Sequence, residues 1–141
     1  MHRAEEAHER EIHALLLRYC ETLDTGCIED WVACYTDDGV FEGLKGRVEG
    51  REALRAYGQA SLARGFFLHL LTNVQVSLDA ADPQRASARS HLLYVERSRE
   101  GAGKIAAGAQ VDVLRREGGE WKIAHRKLHA QPIVDLPGAA A

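Results

Sequence analysis

From Phe66 onward the chain reads as four extended segments, Phe66 to Leu78, Arg85 to Arg97, Lys104 to Arg115 and Trp121 to Ile133. The separators, Asp79-Ala-Ala-Asp-Pro83, Glu100-Gly-Ala-Gly103 and Glu117-Gly-Gly119, carry turn chemistry, so the segments form an antiparallel meander. Ahead of them the period is helical. Ile12, Leu15, Leu16, Tyr19 and Leu23 make one apolar stripe between Glu5 and Asp24, and Gly26 stands where a C-terminal cap belongs. A short second helix is expected around Ile28 to Cys34, presenting Trp31 and Tyr35 one turn apart. Thr36-Asp-Asp-Gly39 then turns into a short strand, Val40-Phe41-Glu42. A third helix opens at Gly50-Arg-Glu-Ala-Leu and ends near Ala63 to Gly65. Helices first and strands second predict an α+β fold, with three N-terminal helices packed on one face of a curved antiparallel sheet.

With 141 residues, 45% apolar and 28% charged, the chain has material for one core and no second unit. The domain is expected over residues 1–134, and residues 135–141, ending Pro137-Gly-Ala-Ala-Ala, as a flexible tail with nothing to bury. A formal charge of −3, with both signs scattered, lacks the basic footprint that a nucleic-acid partner requires. The N-terminal stretch offers only Leu15 to Leu17 as an apolar run between charges, which argues against a signal peptide or membrane span and for a cytoplasmic protein. Cys20, Cys27 and Cys34 are odd in number and form no CxxC pair, so they read as reduced, buried fillers. Gly101-Ala-Gly103 joins two strands and is a turn, not a dinucleotide loop.

A sheet that curls around helices without closing leaves a cone that large side chains must fill. Only nine residues are Phe, Trp or Tyr, and the strands are rich in small ones such as Ala86, Ala88, Ala106 and Gly108. The expectation is therefore a pocket.

Two residues stand out chemically. Asp24 ends an amphipathic helix, where a carboxylate meets the negative end of the helix dipole and needs compensation. His69 lies in Phe66-Phe67-Leu68-His69-Leu70-Leu71, a run apolar enough to be buried on both faces, so its ring needs a partner. Separately, each also reads as a turn aspartate or a core histidine. As a pair they would resolve both anomalies, the carboxylate fixing the tautomer of a base that needs no metal or cofactor. His91 alternates in phase with Leu93 and Val95 and reads as half-buried. Gln110 and Asp112 share one strand face against Val111 and Val113, and Arg126 is the natural partner for Asp112.

Seven histidines raise the question of a metal. His125 and His129 have helical ligand spacing, but on a strand they stand about 13 Å apart. His8-Glu-Arg-Glu-Ile-His13 only superficially resembles HExxH. No metal site and no nucleophile elbow are expected.

Glu11-Ile12, Leu15-Leu16, Arg18-Tyr19 and Asp24 are followed by Trp31-x3-Tyr35-Thr-Asp-Asp-Gly-Val-Phe41 and Gly50-Arg-Glu-Ala-Leu. His69-x3-Asn73 and Asp112-x5-Gly-Gly-x-Trp121-Lys-Ile-x2-Arg126 complete a pattern that resembles the SnoaL-like branch of the NTF2-like superfamily over about residues 8–130. The resemblance implies a cone of curved antiparallel sheet closed by helices, usually a homodimer or homotrimer joined through the outer sheet face. Its relatives include scytalone dehydratase, ketosteroid isomerase, hexachlorocyclohexane dehydrochlorinase, polyketide cyclases and the non-catalytic small subunits of ring-hydroxylating dioxygenases.

By the same resemblance, Asp24 and His69 form a catalytic dyad and Tyr19 polarises a substrate carbonyl. Tyr35, Trp31, Phe41, Asn73, His91, Gln110 and Arg126 become candidates for substrate contact. Gln110 stands where many relatives have Tyr, and the Arg–Asp–Asp set of limonene epoxide hydrolase is missing. The expected activity is that of a cofactor-independent lyase or isomerase, dehydratase- or cyclase-like, on an apolar carbonyl compound. Two alternatives are a non-catalytic small-molecule binding module and a structural subunit of a hetero-oligomer.

Overall fold

The computed structural model describes residues 2–138. Two helices come first, α1 (His2–Asp24) and α2 (Ile28–Val32), followed by β1 (Tyr35–Gly43), β2 (Gly46–Glu49) and α3 (Arg51–Arg64). Four long strands complete the chain: β3 (Gly65–Leu78), β4 (Arg85–Ser98), β5 (Gly103–Glu117) and β6 (Glu120–Leu136). They form one six-stranded sheet in the order β2-β1-β6-β5-β4-β3. The helices pack on one face of it, and the sheet is not closed into a barrel. This is the NTF2-like α+β cone.

The expected stripe of α1 is its buried face, with Ile12, Leu15, Leu16, Tyr19 and Leu23 all hidden. α1 lies mainly against β3, which brings the end of the first helix to a strand more than forty residues further along. α3 runs into β3 without a loop at Gly65 (φ 151°), where a Cβ would sit 2.0 Å from the Arg97 carbonyl oxygen. Only glycine permits that approach.

Several local expectations need correction. The sheet is mixed, because β1 pairs parallel with β6 while the other neighbours are antiparallel. β1 begins at Tyr35, with a register irregularity between Tyr35 and Val40 where the turn was expected, so α2 stops at Val32. The β2 hairpin at Gly46–Glu49 went unseen because its one apolar residue, Val48, gives no alternation. Asp135 and Leu136 close β6, and residues 139–141 of the expected tail lie outside the described residues. Cys20 and Cys34 are buried, whereas Cys27 is exposed in the turn after α1.

β3 is an edge strand, and only one of its faces is covered. Phe67 is buried, while Phe66 (54%), Leu68 (43%) and Leu70 (50%) remain exposed on the other face, contrary to the expectation of burial on both. The inward set then changes parity. Thr72 pairs with His91 but Gln75 with Arg89, so β3 carries one extra residue. Asn73 sits in that bulge at φ 54°, and the inward residues pass from Phe67, His69 and Leu71 to Val74, Val76 and Leu78. β6 is likewise bulged opposite Val113 and Leu114, moving the inward set from Trp121 and Ile123 to Arg126 and Ala130. Bulges of this kind bend strands, and the bending gives the long sheet its concave side.

Candidate active site

Asp24 is the last residue of α1, and its carboxylate grips His69 twice. Oδ2 accepts the His69 backbone N–H at 2.8 Å, and Oδ1 engages ring Nδ1. These contacts supply the compensation that a carboxylate at a helix C-terminus requires. The imidazole is held between the Phe67 ring at 6.1 Å and the Tyr94 ring at 5.7 Å, both stacked on it. With Nδ1 committed to Asp24, Nε2 is the nitrogen left to meet a ligand.

His69 lines a cavity on the concave side of the sheet that opens to solvent. Leu23, Phe41, Leu92 and Leu128 give it apolar walls. On β5 the partners of Leu92 and Tyr94 are small, Gly108 and Ala106, and at Gly108 a Cβ would sit 1.9 Å from the His129 carbonyl oxygen. Tyr19 reaches the cavity from α1, and its hydroxyl accepts a hydrogen bond from Tyr35 Oη at 3.0 Å. Burial pushes the Tyr19 phenol up to about 12 despite the opposing Arg126 charge, and burial raises Tyr35 well above its usual value too. Both are neutral near pH 7, and Tyr19 keeps its own hydrogen available for donation.

Beneath this layer, Asp112 accepts from Arg126 through Nε at 2.7 Å and Nη2 at 2.8 Å. The pair is fully buried, and the guanidinium carbon stands 4.1 Å from the centre of the Tyr19 ring. The ion pair thus supports the phenol by a cation–π contact.

The SnoaL-like domain family matches residues 4–127. The chain belongs to this SnoaL-like family. A protein of unknown function from Mycobacterium tuberculosis is 32% identical with a TM-score of 0.82, over 94% of this chain and 76% of its own. A scytalone dehydratase-like protein from Novosphingobium aromaticivorans has a TM-score of 0.82 at 20% identity, covering 100% of this chain and 93% of its own. A type 2 hexachlorocyclohexane dehydrochlorinase, LinA, has a TM-score of 0.81 at 15% identity over 95% and 94%. These last two likenesses are likenesses of fold. No curated protein matches the chain.

Within this SnoaL-like cone the expected site residues separate into three groups. Tyr19, His69, Phe41 and Gln110 line the cavity, with Asp24 directly behind His69. Trp31, Tyr35 and Arg126 do not line it. They are fully buried one layer deeper, where the Trp31 ring packs 5.6 Å from those of Tyr19 and Tyr35. Asn73 and His91 lie on the outer face and are exposed, hydrogen-bonded to each other at 2.8 Å. His91 is outward because it shares a face with Leu93, which is itself exposed, and Asn73 because it is the bulge residue. Lining residues that were not anticipated include Tyr57, Ser61 and Arg64 on α3, Lys45 between β1 and β2, Lys104 on β5, and Tyr94 and Glu96 on β4. The phase of β4 carried a signal, since Leu92, Tyr94 and Glu96 alternate inward together. Among the described residues no helix is long and apolar enough to cross a membrane.

Proposed function

We propose that the protein is a cofactor-independent lyase or isomerase that removes a proton next to a carbonyl in an apolar small molecule, with Asp24 and His69 as a general-base dyad. Nε2 of His69 takes the α-proton. The Asp24 carboxylate fixes the Nδ1–H tautomer and stabilises the imidazolium that forms. Tyr19, neutral and still holding its hydrogen, donates to the enolate oxygen as charge develops there. Loss of a β-hydroxyl from the enolate, protonated by the His69 imidazolium to leave as water, gives dehydration, and return of that proton to another carbon gives isomerisation.

The observation that carries this reading is the two-oxygen grip of Asp24 on His69 at the wall of an open cavity. A passive binding module has no use for an oriented imidazole, and a structural subunit would have its cone filled. The fold likeness to a dehydratase-like protein and a dehydrochlorinase agrees with the same chemistry.

The test is α-proton exchange in D2O, followed by NMR on a panel of cyclic ketones, with and without β-hydroxyl groups. His69→Ala and Asp24→Asn are expected to lower the exchange rate by about 10²–10⁴-fold with an unchanged circular dichroism spectrum, and Tyr19→Phe by about 10²-fold. Full activity in either dyad variant removes the mechanism.

A further inference from the structure

The cavity has two unlike polar ends. One is Gln110, a lining residue only 1% exposed, whose buried Nε2 has no hydrogen-bond partner. A buried primary amide without an acceptor is costly, and an acceptor oxygen on a ligand relieves that cost. The other end is charged. Lys45, Arg64, Lys104 and Glu96 all line the cavity, three cations against one carboxylate. Glu96 faces Lys104 at 3.5 Å and Arg64 at 3.9 Å, so its single charge is shared between two partners. Arg64 is steadied further by the Ser61 hydroxyl at 3.4 Å. The lining therefore carries a local positive excess in a chain whose formal charge is −3.

Such an excess at the wall of a low-dielectric cleft concentrates anions there. We propose that the cavity takes an amphiphilic anion: an oxygen-bearing apolar body that accepts from Gln110, with a carboxylate held by Lys104, Arg64 and Lys45. The proposal rests on the function above only in assigning a carbonyl to the body, and a binding measurement separates the two. The rim residues come from three separate elements, α3 (Arg64), β4 (Glu96) and β5 (Lys104), together with Lys45 in the β1–β2 turn. Their convergence is a product of the fold.

The probe pair is a naphthyl methyl ketone bearing a propanoate side chain and the methyl ester of the same compound, titrated by calorimetry at low ionic strength. Ion pairs at a partly exposed rim are each worth only a few-fold in affinity, so the acid is expected to bind about tenfold tighter than the ester. Lys104→Gln together with Lys45→Gln abolishes that preference, Glu96→Gln increases it several-fold, and added salt erodes it. Gln110→Leu weakens both probes alike and leaves their ratio intact. His69→Ala keeps the ratio even where exchange activity is lost, so failure of the base leaves this assignment standing. Equal binding of acid and ester by the wild type overturns the proposal, and so does tighter binding of the matching propylamine, which would make Glu96 the recognition group.

Discussion

Each face of the sheet departs, in its own way, from a wholly apolar inside and a polar outside. The concave face, where a core would be apolar, holds His69, Gln110 and the Asp112–Arg126 pair. The convex face displays Phe66, Leu68, Leu70, Leu93, Val111 and Val113. Every polar group on the inner face needs a reason, because burying one without a partner costs several times what a hydrogen bond returns. Asp112 and Arg126 answer each other, and Asp24 answers His69. Gln110 Nε2, Ser90 Oγ and Arg126 Nη1 are left without a partner, and of these three residues Gln110 is the one that lines the cavity. The outer face poses the opposite problem. Its apolar side chains are continuous: Leu68 pairs with Val95, Val95 with Ile105 and Ile105 with Val134, one row across β3, β4, β5 and β6. Chemistry is the explanation we propose for the first face, and assembly for the second.

The largest effect is expected where the inner face is most costly to disturb. Arg126→Met leaves the Asp112 carboxylate buried without its partner, at a cost of about 3–5 kcal/mol, read from the urea midpoint. The double variant Asp112→Leu with Arg126→Met recovers most of that loss, since no charge remains to be satisfied. Its deficit in activity should then exceed its deficit in stability, because the Tyr19 ring loses the guanidinium 4.1 Å away. If Arg126→Met costs under about 1 kcal/mol, the pair behaves as a solvated surface bridge and the contrast between the faces collapses.

The outer face breaks differently. We propose that a second copy of this chain covers the row, forming the homodimer or homotrimer that the family resemblance implies. Leu68→Glu with Leu70→Glu puts two charges into that contact. Light scattering is expected to show a multimer for the wild type and a monomer for the variant, with the cavity side still able to bind the ketone probe. A monomeric wild type leaves the row without a second copy to bury it.

Much of this was legible in the sequence, and the gaps have physical causes. The order of elements follows from hydrophobic period and turn chemistry. Asp24 and His69 announced themselves one at a time, each by a mismatch between residue and setting, but their meeting depends on α1 lying along β3, which neither segment's period encodes. The parallel joint between β1 and β6 is equally non-local. Trp31 and Arg126 lie one layer deeper than expected because periodicity tells inward from outward and not the depth. Tyr57, Ser61 and Glu96 were passed over because an inward tyrosine, serine or glutamate looks ordinary until the cavity it lines is known.

One extra residue decides which face the end of β3 presents, and that place offers the subtlest test. Reading strict alternation through β3 from His69 would put Val74, Val76 and Leu78 outside; one extra residue at Asn73 keeps them in. Asn73 holds the left-handed backbone (φ 54°) that the bulge uses, and asparagine tolerates it better than most side chains. Asn73→Ala is therefore expected to lose about 1 kcal/mol of stability. Asn73→Gly should stay within about 0.5 kcal/mol of wild type, because the relief of a positive φ offsets the exposed hydrogen bond to His91. The decisive comparison is between the two variants. If alanine is tolerated as well as glycine, the positive φ is not what holds the register, and the hydrophobic residues beyond the bulge suffice to pull β3 into place.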